Sequence, residues 1–94
     1  PPYQQVGILT DTDNPENIKP LYGRQTYRGS NQWNYFTSLD SHLATKIPIE
    51  IDNNDCTDER GCKEIYKNDR VNLNGDNEYI ANIYQTYAPR YIPY

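Results

Sequence analysis

Residues 63–86 carry the clearest strand pattern in the chain and read KEIYKNDRVNLNGDNEYIANIYQT. Val71 and Leu73 alternate with polar residues, and residues 78–86 alternate again after a turn. Alternation with a period of two predicts strands that are buried on one face. The turn at residues 74–77 (NGDN) contains Asn-Gly, the strongest short hairpin signal, because both residues tolerate positive φ. A lone hairpin is marginal in water, so we expect other strands to cover it.

Three more segments predict strands that complete a small all-β domain. Residues 21–27 (LYGRQTY) and 32–39 (QWNYFTSL) flank a second hairpin turn with Gly29 in it. Residues 46–52 (KIPIEID) alternate, with three isoleucines on one face, and Pro48 predicts an edge strand or a solvent-facing position because it lacks an N–H. About five short antiparallel strands separated by polar turns predict a single-domain barrel or sandwich. An SH3-like barrel is one such form, suggested by the NDRVNL step at residues 68–73.

The two ends of the chain predict extended segments around this domain. We expect residues 1–20 to form an N-terminal arm, in which Val6–Thr10 pairs at most as a short edge strand. Residues 21–86 form the β domain, and residues 87–94, which contain two prolines, form an extended tail. Residue 1 is Pro and the chain contains no Met. We therefore expect a preceding piece, such as a signal peptide, a membrane anchor or a flexible arm.

The composition restricts the function classes. The 94 residues allow one domain, and the ten tyrosines supply core material that the low hydrophobic content of 35% does not. With a net charge of -4 the chain has no basic face, so nucleic acid is not an expected partner. The acidic spots at residues 11–13 and 52–59 lack the glycine and glutamate of a calcium loop, which favours solvated structural loops.

Cys56 and Cys62 lie six residues apart in a polar loop. A structural disulfide is the favoured interpretation, and free thiols or a catalytic pair are the alternatives. Zinc would require about four ligands, whereas the chain has two cysteines and one histidine, so no metal site is expected. A stable disulfide implies an oxidising compartment or a particle that acquires one.

The candidate catalytic residue is His42, the only histidine, which follows Asp40 and Ser41. A triad is assembled in space from separate elements, and no nucleophile-elbow motif accompanies these residues. A surface-loop histidine is therefore favoured over a hydrolase relay. We expect no enzymatic activity and no cofactor.

The aromatic residues have two interpretations that can hold together. Most tyrosines are expected in the core, because other apolar residues are scarce. Some can instead form a groove beside Trp33 for a Pro-rich or extended peptide, as in SH3-like domains, or for the termini of a neighbouring copy. The candidate interaction residues are Trp33, Tyr35, Tyr87, Tyr91 and Tyr94.

Several stretches, taken in order, resemble a family of small, uncharacterised proteins of giant double-stranded DNA viruses of algae and amoebae. They are residues 6–10 (VGILT), 21–26 (LYGRQT), 32–36 (QWNYF), 56–62 (CTDERGC) with 64–66 (EIY), and 89–94 (PRYIPY). The resemblance implies a minor capsid protein in the virion, in contact with other capsid proteins or the inner membrane. It also implies an N-terminal hydrophobic segment, no catalytic residues, and a viral thiol oxidase that would form the disulfide. The rival hypotheses are an SH3-like peptide-binding module and a small hydrolase that uses His42.

Overall fold

The computed structural model describes residues 2–38, 46–73 and 77–84, and these residues form eight antiparallel strands without a helix. The strands are β1 (Gln4–Asp11), β2 (Ile18–Gln25), β3 (Gln32–Ser38), β4 (Lys46–Ile51), β5 (Asn54–Asp55), β6 (Cys62–Lys63), β7 (Arg70–Leu73) and β8 (Glu78–Ile83). The prediction of a small, single-domain, all-β fold is confirmed.

Six of the strands close into a barrel. Their order is β4-β7-β8-β1-β2-β3, and pairing between β3 and β4 closes the ring. The two-residue strands β5 and β6 lie outside this ring, beside β4 and β3 respectively. Among the described strands, closure leaves no long unpaired edge on which another strand can add. Of the two predicted architectures, the barrel is therefore the one that forms.

Both predicted hairpins are present. In β7 and β8, Val71 pairs with Tyr79, and the side chains on the predicted inner face are buried. The Asn-Gly turn at residues 74–76 lies outside the described residues. Between β2 and β3, Gly29 has φ +87°, a conformation that a side chain disfavours. The turn glycine predicted there is confirmed.

The N-terminal prediction of an arm with an edge strand is wrong. Strand β1 pairs with β2 on one side and with β8 on the other, and Leu9 is fully buried. Gly7 makes this possible, because a Cβ at this position would lie 2.4 Å from the carbonyl oxygen of Asn82. A bulge between Gln5 and Gly7 also shifts the register with β2. The bulge breaks the alternation that would otherwise have revealed a central strand.

Of the two alternatives predicted from Pro48, the edge strand is wrong, because β4 pairs with β3 on one side and with β7 on the other. Pro48 lies opposite Phe36 of β3, whereas the ladder with β7 begins one residue later, at Ile49 and Leu73. Pro48, which has no N–H, therefore lies outside the ladder with β7 and does not have to donate a hydrogen bond to it.

The barrel interior contains tyrosines as well as aliphatic side chains. Tyr35 and Tyr79 are almost completely buried, together with Leu9, Leu21 and Ile49. The prediction that tyrosine serves as core material is confirmed for Tyr22, Tyr35 and Tyr79, whereas Tyr27, Tyr66 and Tyr84 are exposed.

Candidate binding site

The barrel wall contains a seam where β3 and β4 part, and residues 52–63, here called the seam loop, fill it. The N–H of Cys56 donates to the carbonyl of Ile49 in β4 at 2.8 Å. The carbonyl of Cys56 accepts the N–H of Tyr35 in β3 at 3.1 Å. Closer to the start of β3, Trp33 pairs with Cys62 at the end of the seam loop. The seam loop therefore replaces β4 as the neighbour of β3 in this part of the wall.

The seam loop is held by the predicted disulfide between Cys56 and Cys62, which is confirmed. Both half-cystines are buried. Closing so short a loop contributes about 2 kcal/mol in the chain-entropy model. Gly61 lies close against β3, with φ +76°, and a Cβ there would lie 2.6 Å from the carbonyl oxygen of Trp33. The loop therefore reaches its position only with glycine at residue 61.

The start of the seam loop is a tight turn. Asp52 and Asn53 both have positive φ, 53° and 66°, and they connect β4 to β5 as the two central residues of a type I′ turn do. Asp52 and Asn53, at the start of the acidic spot at residues 52–59, are thus turn residues. Within the described part of the chain, no group of three or more His, Cys, Asp or Glu is arranged to hold a metal ion.

Asn34 connects the seam loop to the outer surface of the barrel. Its side-chain amide donates to the carbonyl oxygens of Cys56 (3.1 Å) and Asp58 (2.8 Å). Its side-chain oxygen accepts a hydrogen bond from Nε of Arg24 at 3.3 Å. Because Asn34 is buried, these bonds fix the guanidinium of Arg24 relative to the loop. The sequence carries no local signal for this role, since the partners are distant in the chain.

A recess of about 340 Å³ opens at the end of the barrel where β1 and β3 begin and β2 ends. We call this recess the mouth; it is lined by Pro2, Gln4, Val6, Gly23, Arg24, Gln25, Arg28 and Trp33. Barrel mouths are common ligand sites, and this volume is at the low end for such pockets. Gly23 contributes no side chain, because a Cβ there would lie 2.6 Å from the ring of Tyr35.

Two arginines, Arg24 and Arg28, line the mouth although the whole chain has a net charge of -4. Among the described residues, none of those that line the mouth is acidic. The guanidinium of Arg24 lies 4.4 Å from the centroid of the Tyr3 ring, a cation–π distance. Burial raises the pKa of Tyr3, and the neighbouring Arg24 opposes that rise. Sequence analysis missed both arginines, because a charge balance taken over the whole chain hides a local patch.

Two of the predicted interaction residues lie together at this end of the barrel. Trp33 is half-buried and lines the mouth, and its ring stacks on that of Tyr35 with centroids 5.8 Å apart. Tyr35 itself is 1% exposed, so its prediction as a surface interaction residue is wrong. Its hydroxyl oxygen accepts the N–H of Ile65 at 2.8 Å, and burial raises its pKa.

The remaining predicted site residues cannot be placed. Tyr87, Tyr91 and Tyr94 lie outside the described residues, as does His42 with its neighbours Asp40 and Ser41. The interaction and hydrolase predictions that depend on them stay predictions.

The opposite end of the barrel carries a hydrogen-bond network around Asp11. One carboxylate oxygen accepts the N–H of Asp13 at 2.9 Å. The other accepts from the amides of Asn17 (3.2 Å) and Asn77 (3.4 Å). The amide of Asn17 also donates to the hydroxyl of Tyr79 at 3.1 Å. The hydrogen bond from Asp13, followed by those from the amides, lowers the pKa of Asp11 against the opposing effect of burial. This carboxylate therefore stabilises a loop.

Comparisons with known proteins give one result. No curated protein and no solved structure is significantly similar to the chain. The described part of the chain contains no helix with the length and apolarity that crossing a bilayer requires. The model of a family of unknown function, DUF5755, matches residues 1–84, so the chain belongs to the DUF5755 family.

Proposed function

We propose that the protein is a non-enzymatic minor structural protein in the capsid of a large double-stranded DNA virus. In this role it contacts other capsid proteins, or the inner membrane beneath them, through the mouth of its barrel. The observation that supports this proposal is the mouth itself, which is a preformed recess with a few converging polar groups in an otherwise closed barrel. The capsid setting is supported by the resemblance of the sequence motifs to giant-virus proteins.

The seam loop supports a role in assembly. The disulfide and the hydrogen bonds of Cys56 hold the wall beside the mouth in one arrangement. A surface that is ordered before contact loses less conformational entropy when a partner binds. A stapled barrel is therefore suited to repeated contacts in a particle.

Quantitative mass spectrometry of purified virions under non-reducing conditions tests the proposal. We expect abundant peptides from this chain, with Cys56 and Cys62 linked to each other. A viral enzyme that acts only in the infected cell serves as the contamination control. If the chain is detected in infected cells and never above that control in particles, the capsid proposal is wrong.

A second candidate is an SH3-like peptide-binding module that acts inside the infected cell. The observation that favours it is Trp33, which offers an aromatic ring to the mouth above the buried ring of Tyr35. SH3-like domains bind Pro-rich peptides on such rings. Saturable binding of an uncharged Pro-rich peptide, lost in Trp33→Ala, supports this candidate, and absence of binding removes it.

A further inference from the structure

We infer that the mouth binds an extended acidic segment of a partner protein, with an Asp or Glu carboxylate held by Arg28 beside Trp33. The inference rests on the proposed function, because it names the chemistry of the contact that the mouth makes. The sequence predicts a Pro-rich or extended peptide in a groove beside Trp33. The arginines that line the mouth make an extended acidic segment the better match.

The mouth brings two arginines together on an acidic protein. Among the described residues, its lining includes Arg24 and Arg28 and no acidic side chain. The four acidic residues of the seam loop, Asp52, Asp55, Asp58 and Glu59, are not among the lining residues. Arg28 is exposed, and no carboxylate of the described residues forms an ion pair with it. A recess with one sign of charge attracts ligands of the opposite sign.

The two arginines have different roles. The guanidinium of Arg24 is bonded to Asn34 and lies over the ring of Tyr3, so it is already engaged by these neighbours. Arg28 extends from the turn between β2 and β3, and its guanidinium can bind a carboxylate through two parallel hydrogen bonds. Arg28 is therefore the group that binds the carboxylate.

The other lining groups fit a polypeptide. The amides of Gln4 and Gln25 match the hydrogen-bonding groups of a peptide backbone, and Gln25 is already fixed by donating to the carbonyl of Ser30 at 2.9 Å. Val6 and Trp33 supply apolar contact. Two arginines are too few to follow a phosphate backbone. Residues 85–94 of the chain carry one arginine and no acidic side chain, so charge favours a partner protein over this segment.

The sole tryptophan makes the test direct, because Trp33 lines the mouth and its fluorescence reports on this part of the barrel. The full, oxidised chain is titrated with peptides of about twelve residues that alternate Glu and Ser, Gln and Ser, or Lys and Ser. We expect a saturable change in emission with the Glu peptide alone, and weaker binding at high salt. Arg28→Gln should weaken binding about tenfold, as expected for loss of a charged hydrogen bond.

Arg70→Gln is the matched control, since it makes the same charge change on β7, where Arg70 is paired with Glu78. We expect it to change the affinity by about twofold or less. Thermal unfolding of both variants verifies that each is folded.

Four results would overturn the inference. They are equal binding of the Gln or Lys peptide, equal effects of the two arginine variants, no saturable response up to about 1 mM peptide, and tighter binding of oligothymidylate. If the protein associates with itself and Arg28→Gln abolishes that association, the mouth binds a second copy of the chain and the inference of a separate partner protein is wrong. Detection in virions without an acidic-peptide response removes this inference alone. A specific response without detection in virions removes only the capsid setting.

Discussion

The two ends of the barrel are built on the same strands and differ in what occupies them. Strand β1 runs from Gln4 at the mouth to Asp11 at the opposite end. At the Asp11 end, polar side chains bond to one another, with Asn17 contacting both Asp11 and Tyr79. At the mouth, Gly23 adds no side chain and the arginines surround a recess. One end is thus filled by hydrogen-bonded polar side chains, and the other keeps a recess.

The two ends also depend on different kinds of bond. The wall beside the mouth depends on the disulfide between Cys56 and Cys62, because the seam loop replaces β4 as the neighbour of β3 there. The Asp11 end relies on hydrogen bonds to an ionised carboxylate. The mouth should therefore respond to reduction, and the Asp11 end should respond to acid.

The largest effect is expected from loss of the staple. The double variant Cys56→Ser with Cys62→Ser should lose about 2–5 kcal/mol of unfolding free energy, as small domains do without a native disulfide. Urea unfolding measures the loss, and Trp33 emission should shift to longer wavelength as the seam opens. A reductant should reproduce both changes in the natural chain and have no effect on the variant. Unchanged unfolding and emission would show that hydrogen bonds alone hold the seam.

A matched pair of hydroxyl deletions compares the two ends directly. Tyr35→Phe leaves the N–H of Ile65 without the acceptor it has at 2.8 Å, which should cost about 1–3 kcal/mol. Tyr79→Phe removes an acceptor from the Asn17 amide, which still donates to Asp11, and should cost about 0.5–1.5 kcal/mol. Denaturant unfolding measures both variants. Equal losses, or a larger loss for Tyr79→Phe, would contradict the difference between the ends.

A smaller effect is expected at Asp11, and it depends on pH. The pKa of Asp11 is lowered in the folded protein by the N–H of Asp13 and the neighbouring amides. Its contribution is therefore present above the pKa of the unfolded chain, about 3.9, and is lost as the pH falls through the folded pKa. Unfolding measured from pH 6 down to pH 2 should show a shallower decline for Asp11→Asn than for the natural chain, with Asp13→Asn as the control. Parallel curves would contradict the role of this carboxylate.

The smallest effect is expected for the ion pair outside both ends. Arg70 and Glu78 are 61% and 42% exposed, with 2.6 Å between Nη1 and Oε1. Arg70→Gln should change the unfolding free energy by about 1 kcal/mol or less, and high salt should remove the difference. A larger loss at high salt would mean that the strand pairing of β7 depends on this residue.

The features that sequence analysis predicted correctly are local ones. The alternation of Val71 and Leu73 and the glycine of the β2–β3 turn involve residues within a few positions of each other. The disulfide joins cysteines six apart. Patterns of this kind come from the two-residue period of a strand and the φ preference of a turn, which act over short stretches.

The features that sequence analysis missed depend on residues far apart in the chain. The pairing of β1 with β8 joins Gly7 to Ile83, and a bulge conceals the central strand. Tyr35 looked like a surface ring, because nothing near it in sequence shows that its hydroxyl meets Ile65. The recess of the mouth likewise forms only when the start of β1, the end of β2 and the start of β3 meet.

The sequence by itself therefore determined the all-β class, two hairpins and the staple, because period, turn residues and short loop closure are encoded in neighbouring residues. Only the tertiary structure decided that the sheet closes into a barrel, that the seam loop fills its wall, and that a recess lined by two arginines lies at one end. These features depend on close approaches that no local pattern specifies: Gly7 and Gly61 lie against backbone oxygens, and Gly23 lies against the ring of Tyr35.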